Sequence, residues 1–225
     1  MSRFFSSSGV AGEGFFRLVR GTIRIFVFRW LRLNVVGIER LQVDGKVIIA
    51  PVHRSNLDGP LIGSSSHRRV RYLAKESLFR SRVAGWSMRS LGCFPVRRGE
   101  ADLDAMRVAK AMLDEGDAML IFPEGTRQDG DDIGEIFDGT AWLSAKTGAP
   151  VVPVGIVGTY EAMPAGTKIP KRVPVFAFVG EALDPPSNRE GGPAKRSDMT
   201  NWTAELKKAL EDCQREARAL ASKSA

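Results

Sequence analysis

Three short stretches of this 225-residue chain combine residue types that can do chemistry. The first runs Pro51-Val-His-Arg-Ser-Asn-Leu-Asp-Gly-Pro60, directly after the apolar run Val47-Ile-Ile-Ala50. An imidazole and a carboxylate five residues apart stand about 140° from each other on a continuous helix. They meet only if His53 sits in a loop that turns into a helix near Pro60. There Asp58 can take one ring nitrogen, fix the tautomer and leave the other nitrogen free to accept a proton. The competing reading makes Ser55-x-x-Asp58 a capping box and His53 a loop residue. The second stretch, Gly92-Cys-Phe-Pro-Val-Arg-Arg-Gly99, reads as a turn that delivers two guanidiniums, the groups that fork onto phosphate. Alone, it reads first as a solvated basic loop. The third, Phe122-Pro-Glu-Gly-Thr-Arg127, follows another apolar run. Gly125 permits a tight turn, while Thr126 and Arg127 offer a hydroxyl, backbone N–H groups and a cation, which together make an anion cradle. Glu124 and Arg127 can equally be a simple ion pair.

These stretches need a scaffold that brings strand ends together. Strands are expected at 47–50, 70–74, 118–122, 151–157 and 173–179, and helices at 57–65, 76–91, 101–115, 139–147 and 198–222. Residues 128–135 read as a loop and 184–197 as a Pro/Gly linker. Alternating strands and helices predict an α/β fold, a mixed sheet covered by helices, and ligands in such sheets sit beyond the carboxyl ends of the strands. Residues 14–33 read as a helix with Phe15, Phe16, Val19, Ile23, Phe26, Val27 and Trp30 on one face and Arg17, Arg20 and Arg24 on the other. We divide the chain into a basic amphipathic membrane-associating segment, residues 1–36, and an α/β domain, residues 37–225.

Composition limits the functions open to this scaffold. The formal charge is +7, and residues 1–40 hold seven arginines against two glutamates. The pI near 9.7 calls for an anionic partner: membrane, nucleic acid, phosphorylated substrate or acidic carrier protein. The basic run from His67 to Arg98 contains few aromatics on which bases could stack, which argues against nucleic acid. Two cysteines and two histidines match no metal spacing, so no metal is expected. No apolar run approaches the roughly 20 residues of a membrane span. There is no Gly-x-Ser-x-Gly elbow and no cysteine beside a histidine in sequence, so direct transfer is favoured over a covalent intermediate.

Taken in order, the blocks His53–Asp58, Gly92–Arg98, Phe122–Arg127 and Val151–Gly155 resemble the glycerophospholipid acyltransferase family, the lysophosphatidic acid acyltransferases of the PlsC type. The stretch Lys75-Glu-Ser-Leu-Phe79 is similar to the segment before that family's second block. The likeness covers roughly residues 40–180. Two positions differ: Arg97 stands where the family often has an acid, and Asp138 where it often has a base. The resemblance implies transfer of a fatty acyl group from acyl-CoA or acyl-carrier protein to a hydroxyl of a 1-acylglycerol-3-phosphate-like acceptor, giving phosphatidic acid for phospholipid synthesis. It implies His53 as base, Asp58 as its orienter, and Arg98, Glu124, Gly125, Thr126 and Arg127 as the residues that place the acceptor phosphate, the two arginines as its direct ligands, with no cofactor beyond the acyl donor. It also implies peripheral, monotopic attachment to the cytoplasmic face of an anionic membrane. Glycerol-3-phosphate acylation and a non-catalytic membrane-binding module remain alternatives, and oligomeric state is not legible.

Overall fold

The computed structural model describes residues 9–96, 103–130, 132–167, 169–187 and 194–224. Helix α1 (Gly9–Thr22) runs through a π-helical turn, Ile23–Val27, into a single turn α2 (Phe28–Trp30). Strand β1 (Asn34–Val36) and a 3-10 turn, Ile38–Leu41, lead to β2 (Val47–Pro51) and α3 (Asp58–Ser65). Next come β3 (Val70–Lys75), a 3-10 turn Glu76–Phe79, α4 (Arg82–Ser90), β4 (Cys93–Val96), α5 (Leu103–Asp114) and β5 (Ala118–Leu120). The chain finishes with α6 (Gly139–Thr147), β6 (Val151–Val157), α7 (Thr159–Ala162), β7 (Phe176–Val179) and the long α8 (Arg196–Lys223).

The seven strands form one mixed sheet in the order β1-β7-β6-β2-β5-β3-β4. Strands β2 to β6 are mutually parallel, and β7 reverses against β6. The α/β class expected from the sequence, a mixed sheet covered by helices, is what the chain adopts. All five residues of β2 are buried, the composition of a central strand covered on both faces. Its Ile49 lies opposite Leu120 of β5 and Val152 of β6, so these strands end on the same rim. Helices α5, α6 and α8 lie side by side, with α8 packed on β6 and β7. Closest approach is at Gly155, where a Cβ would stand 2.3 Å from the Cys213 backbone. The glycine of the Val151–Gly155 block is therefore a packing requirement, and Gln214 beside it exchanges hydrogen bonds with the Ile156 N–H and C=O.

Three expectations change. Residues 93–96 are an edge strand rather than a turn, and Pro95 is tolerated there because an edge leaves some N–H positions unpaired. Strand β1, unforeseen, pairs with β7 as the other edge. The helix expected at 76–91 is broken after Phe79, and Ser81 caps α4 by accepting from the Ala84 N–H.

Helix α1 lies against the domain through α4. The Phe15 and Trp86 rings are 5.1 Å apart, Arg69 reaches Glu13 at 2.6 Å and covers the Phe16 ring, and Arg20 donates to the His67 carbonyl. Burial, and then Arg24, lower the Arg20 guanidinium from its ordinary pKa. The apolar stripe is consequently divided. Phe15, Phe16, Val19, Ile23 and Val27 are partly covered, whereas Phe26 (67% exposed) and Trp30 (49%) face solvent. The π-helical turn explains the split: its wider turn shifts the phase of every residue after it relative to a regular helix.

Candidate active site

The rim where β2 and β5 end gathers the first and third sequence blocks. After β2 the chain runs through Val52 and His53 and re-enters a helix at Asp58. The Asp58 N–H donates to the Ser55 carbonyl, folding the six residues back on themselves. This brings His53 Nδ1 to 3.0 Å from Asp58 Oδ2. The same oxygen accepts the Arg54 and Ser55 backbone N–H groups, each at 2.6 Å. The capping box that competed in sequence terms does not form, since Leu57 is the N-cap of α3 and has no side-chain cap bond; the carboxylate serves the imidazole and the loop N–H groups instead. Asp58 is fully buried, and its Oδ1 has no hydrogen-bond partner among the described residues. The His53 ring stacks on Phe122, centroids 3.7 Å and planes 14° apart, with its side chain 12% exposed. A carboxylate on Nδ1 requires the proton there, so Nε2 carries the lone pair.

The third block divides between interior and surface. Glu124, expected among the residues that place the acceptor phosphate, is 1% exposed and turned inward. Its carboxylate accepts the His53 backbone N–H at 2.8 Å, the Gly134 N–H at 3.1 Å, and Arg54 Nη1 with both oxygens at 3.0 and 2.9 Å. A carboxylate so occupied braces the His53 loop. Gly125, with φ +68°, makes the turn that follows, and a Cβ there would press on the Phe137 ring at 3.2 Å. Beyond it Thr126 and Arg127 are exposed. Gln128 Nε2 donates to the Thr126 hydroxyl at 3.2 Å, and no described residue pairs with the Arg127 guanidinium. The Glu124–Arg127 pair left open by the sequence does not form, because Arg54 takes the carboxylate. Arg98 lies outside the described residues.

Arg54 is the residue that sequence reasoning missed, although it stands inside the first block. It is 5% exposed. Besides holding Glu124, it donates to the His53 carbonyl at 3.0 Å and to the Asp132 carbonyl at 2.9 Å. One guanidinium therefore joins the loops after β2 and β5. Ser55, read in sequence only as a capping residue, has another role: its hydroxyl donates to the Met163 carbonyl at 2.9 Å and ties the site to the segment before β7. Further along the rim, Lys75, Phe79, Arg80, Pro95 and Val96 line a groove of about 650 Å³ at the ends of β3 and β4.

What this site can do is proton transfer at the His53 Nε2 lone pair, with Arg127, unpaired among the described residues, on the loop after the neighbouring strand. Among the described residues no group of three His, Cys, Asp or Glu side chains could hold a metal ion. The cysteines are poor nucleophiles. Burial pushes each thiol up to about 11, and Cys213 is 3% exposed. At neutral pH almost none of either is thiolate, the reactive form. Treatment with iodoacetamide at pH 7 is accordingly expected to leave turnover unchanged, measured by residual rate against the mass-resolved extent of alkylation. Loss of activity in step with Cys93 labelling would reinstate a thiol in the reaction.

The family model described as Acyltransferase matches residues 32–157. The chain is 29% identical over 147 residues to a chloroplastic 1-acyl-sn-glycerol-3-phosphate acyltransferase of Arabidopsis thaliana, covering 64% of this chain and 41% of that protein. It is 26% identical over 152 residues to a 1-acyl-sn-glycerol-3-phosphate acyltransferase of Bacillus subtilis, covering 67% and 73% respectively. The chain thus spans less than half the length of the Arabidopsis relative. The crystal structure of the LPA acyltransferase PlsC from Thermotoga maritima superposes with a TM-score of 0.71 at 26% identity, over 92% of this chain and 79% of that one.

Proposed function

The chain belongs to the acyltransferase family, and from that premise we propose that it moves a fatty acyl group from a thioester to a hydroxyl of a 1-acylglycerol-3-phosphate-like acceptor, forming phosphatidic acid. The observation that carries this reading is the His53–Asp58 pair, 3.0 Å apart at a strand end, with an uncommitted arginine on the neighbouring strand's loop. His53 Nε2 takes the hydroxyl proton as the oxygen attacks the thioester carbonyl. Collapse of the tetrahedral adduct breaks the C–S bond, and the proton passes from His53 to the departing thiolate. Asp58 holds the ring and stabilises the imidazolium between the two steps. The donor is acyl-CoA or acyl-carrier protein. Acyl transfer from purified protein to a panel of lysolipids and glycerol 3-phosphate, with each donor type, read by mass spectrometry, tests the proposal. Product from lysophosphatidic acid is expected, and no product from any acceptor with either donor overturns it.

Arg127, with Thr126 beside it, is assigned to the acceptor's phosphate, and Arg98 is the second candidate. A guanidinium fork on a phosphate contributes mainly to binding. Arg127→Ala is expected to raise the acceptor KM about tenfold or more while the donor KM stays within about twofold, and Arg127→Lys to recover part of the loss. Steady-state kinetics with each substrate varied in turn checks this. An unchanged acceptor KM in Arg127→Ala moves the phosphate elsewhere.

Peripheral attachment to the cytoplasmic face of an anionic membrane completes the reading. No helix among the described residues is long and apolar enough to cross a bilayer. Val10, Leu18, Ile25, Phe26 and Trp30 are exposed on the N-terminal helix, together with Arg17, Arg24 and Arg29. Exposed apolar and basic residues on one helix fit a helix lying in the interface plane.

A further inference from the structure

We infer that the segment between α7 and β7, residues 163–167 and 169–174, is a second membrane-contacting element that joins the N-terminal helix in one bilayer-facing surface at the mouth of the site. This rests on the membrane reading above and adds where the bilayer lies. The segment opens with a turn closed by the Thr167 N–H and hydroxyl, both donating to the Pro164 carbonyl. Its most exposed large residue is Ile169, at 82%. A large aliphatic side chain projecting from a loop tip has nothing to pack on within the domain. Lys171 and Arg172, both exposed, follow it after Pro170.

Two tethers fix where this tip stands. At one end, Ser55 holds the Met163 carbonyl at 2.9 Å, two residues from His53. At the other, Trp30 Nε1 donates to the Pro170 carbonyl at 3.2 Å, and the Arg172 guanidinium lies 5.7 Å from the centre of the Trp30 ring. Ile169 therefore adjoins Trp30, which in turn lies one helical turn from Phe26. Phe26, Trp30 and Ile169 supply the apolar part of the surface, and Arg29, Lys171 and Arg172 its charge. Aromatic and aliphatic side chains flanked by arginine and lysine match the boundary of an anionic bilayer, where apolar groups enter the acyl region and cations stay with the headgroups. A surface anchored at one end beside His53 lets an acceptor reach the base while its acyl chain stays in the bilayer.

The test uses the full-length protein with an environment-sensitive fluorophore on Ile169→Cys, and on Glu211→Cys of α8 as a control, with unmodified protein reporting background labelling. Vesicles are phosphatidylcholine with or without phosphatidylglycerol, and co-sedimentation is measured on the same samples. A blue shift at position 169 alone, present only with phosphatidylglycerol, is expected. Ile169→Asp, whose exposed site predicts an unchanged melting curve, should weaken vesicle partitioning about tenfold or more. If full-length protein co-sediments while position 169 gives no shift and Ile169→Asp binds normally, the loop proposal is overturned and docking belongs to the helix alone. If full-length protein ignores anionic vesicles at low salt, the membrane reading falls with it.

Discussion

Replacing His53 by alanine is expected to lower kcat at least about 100-fold with little change in either KM, the effect of deleting a general base. The geometry makes the prediction specific. Nδ1 is engaged by Asp58 at 3.0 Å, and the ring is held flat against Phe122, so the imidazole has one basic nitrogen and one orientation. Asp58→Asn should be severely impaired as well. An amide can offer the wrong partner to Nδ1 and turn the free lone pair into an N–H, and it loses the charge that stabilises the imidazolium. Because Asp58 also accepts the Arg54 and Ser55 N–H groups, that variant needs a melting curve beside its rate. His53→Ala removes a side chain with no second structural bond, which makes it the cleaner experiment. Near-normal turnover by that variant would falsify the mechanism.

The largest stability effect is expected at the buried pair that joins the loops after β2 and β5. Removing one member of a buried ion pair leaves an uncompensated charge, at a cost of about 3–5 kcal/mol. For a domain of this size, that lowers the melting temperature by roughly 6–20 °C. Glu124→Leu and Arg54→Met should each fall in this range, read by urea denaturation and thermal melts. The double variant should be less destabilised than the two singles summed, since neither charge is then stranded. It should not regain full stability, because the carboxylate also serves the His53 and Gly134 N–H groups and the guanidinium serves the Asp132 carbonyl. Either single costing less than about 1 kcal/mol would mean that water, rather than the partner, satisfies the remaining charge.

The reasons for what the sequence disclosed differ from residue to residue. His53 and Asp58 were legible as a pair because their approach is local: a buried strand ends, and a helix starts within six residues. The position of Arg127 was legible for the same reason, after an apolar run that stops at Pro123. Arg54 and Glu124 are 70 residues apart and meet only because β2 and β5 are neighbours in register. No local pattern encodes that neighbourhood, so Glu124 was grouped with the phosphate-placing block while its tie to Arg54 went unseen. The available signal was two opposite charges, each immediately beyond a buried apolar strand. Strands β1 and β4 escaped notice as edges, the first with three residues and the second carrying a proline. The N-terminal helix is apolar on more than one side, and periodicity could not say which side is packed once the π-helical turn shifts the phase.

Strand order also sets a timetable for folding. Asn34 pairs with Phe176, a sequence separation of about 140 residues, through an edge that closes only after β7 has reversed against β6. Elongation at about 5–20 residues per second puts roughly 7–28 s between the appearance of these two strands. During that interval β1 has no partner, and the helix ahead of it lacks the Leu31–Val175 hydrogen bond that ties its end to the sheet. Such non-local pairing raises contact order and slows folding. Among the described strands, the first made is among the last that can be placed.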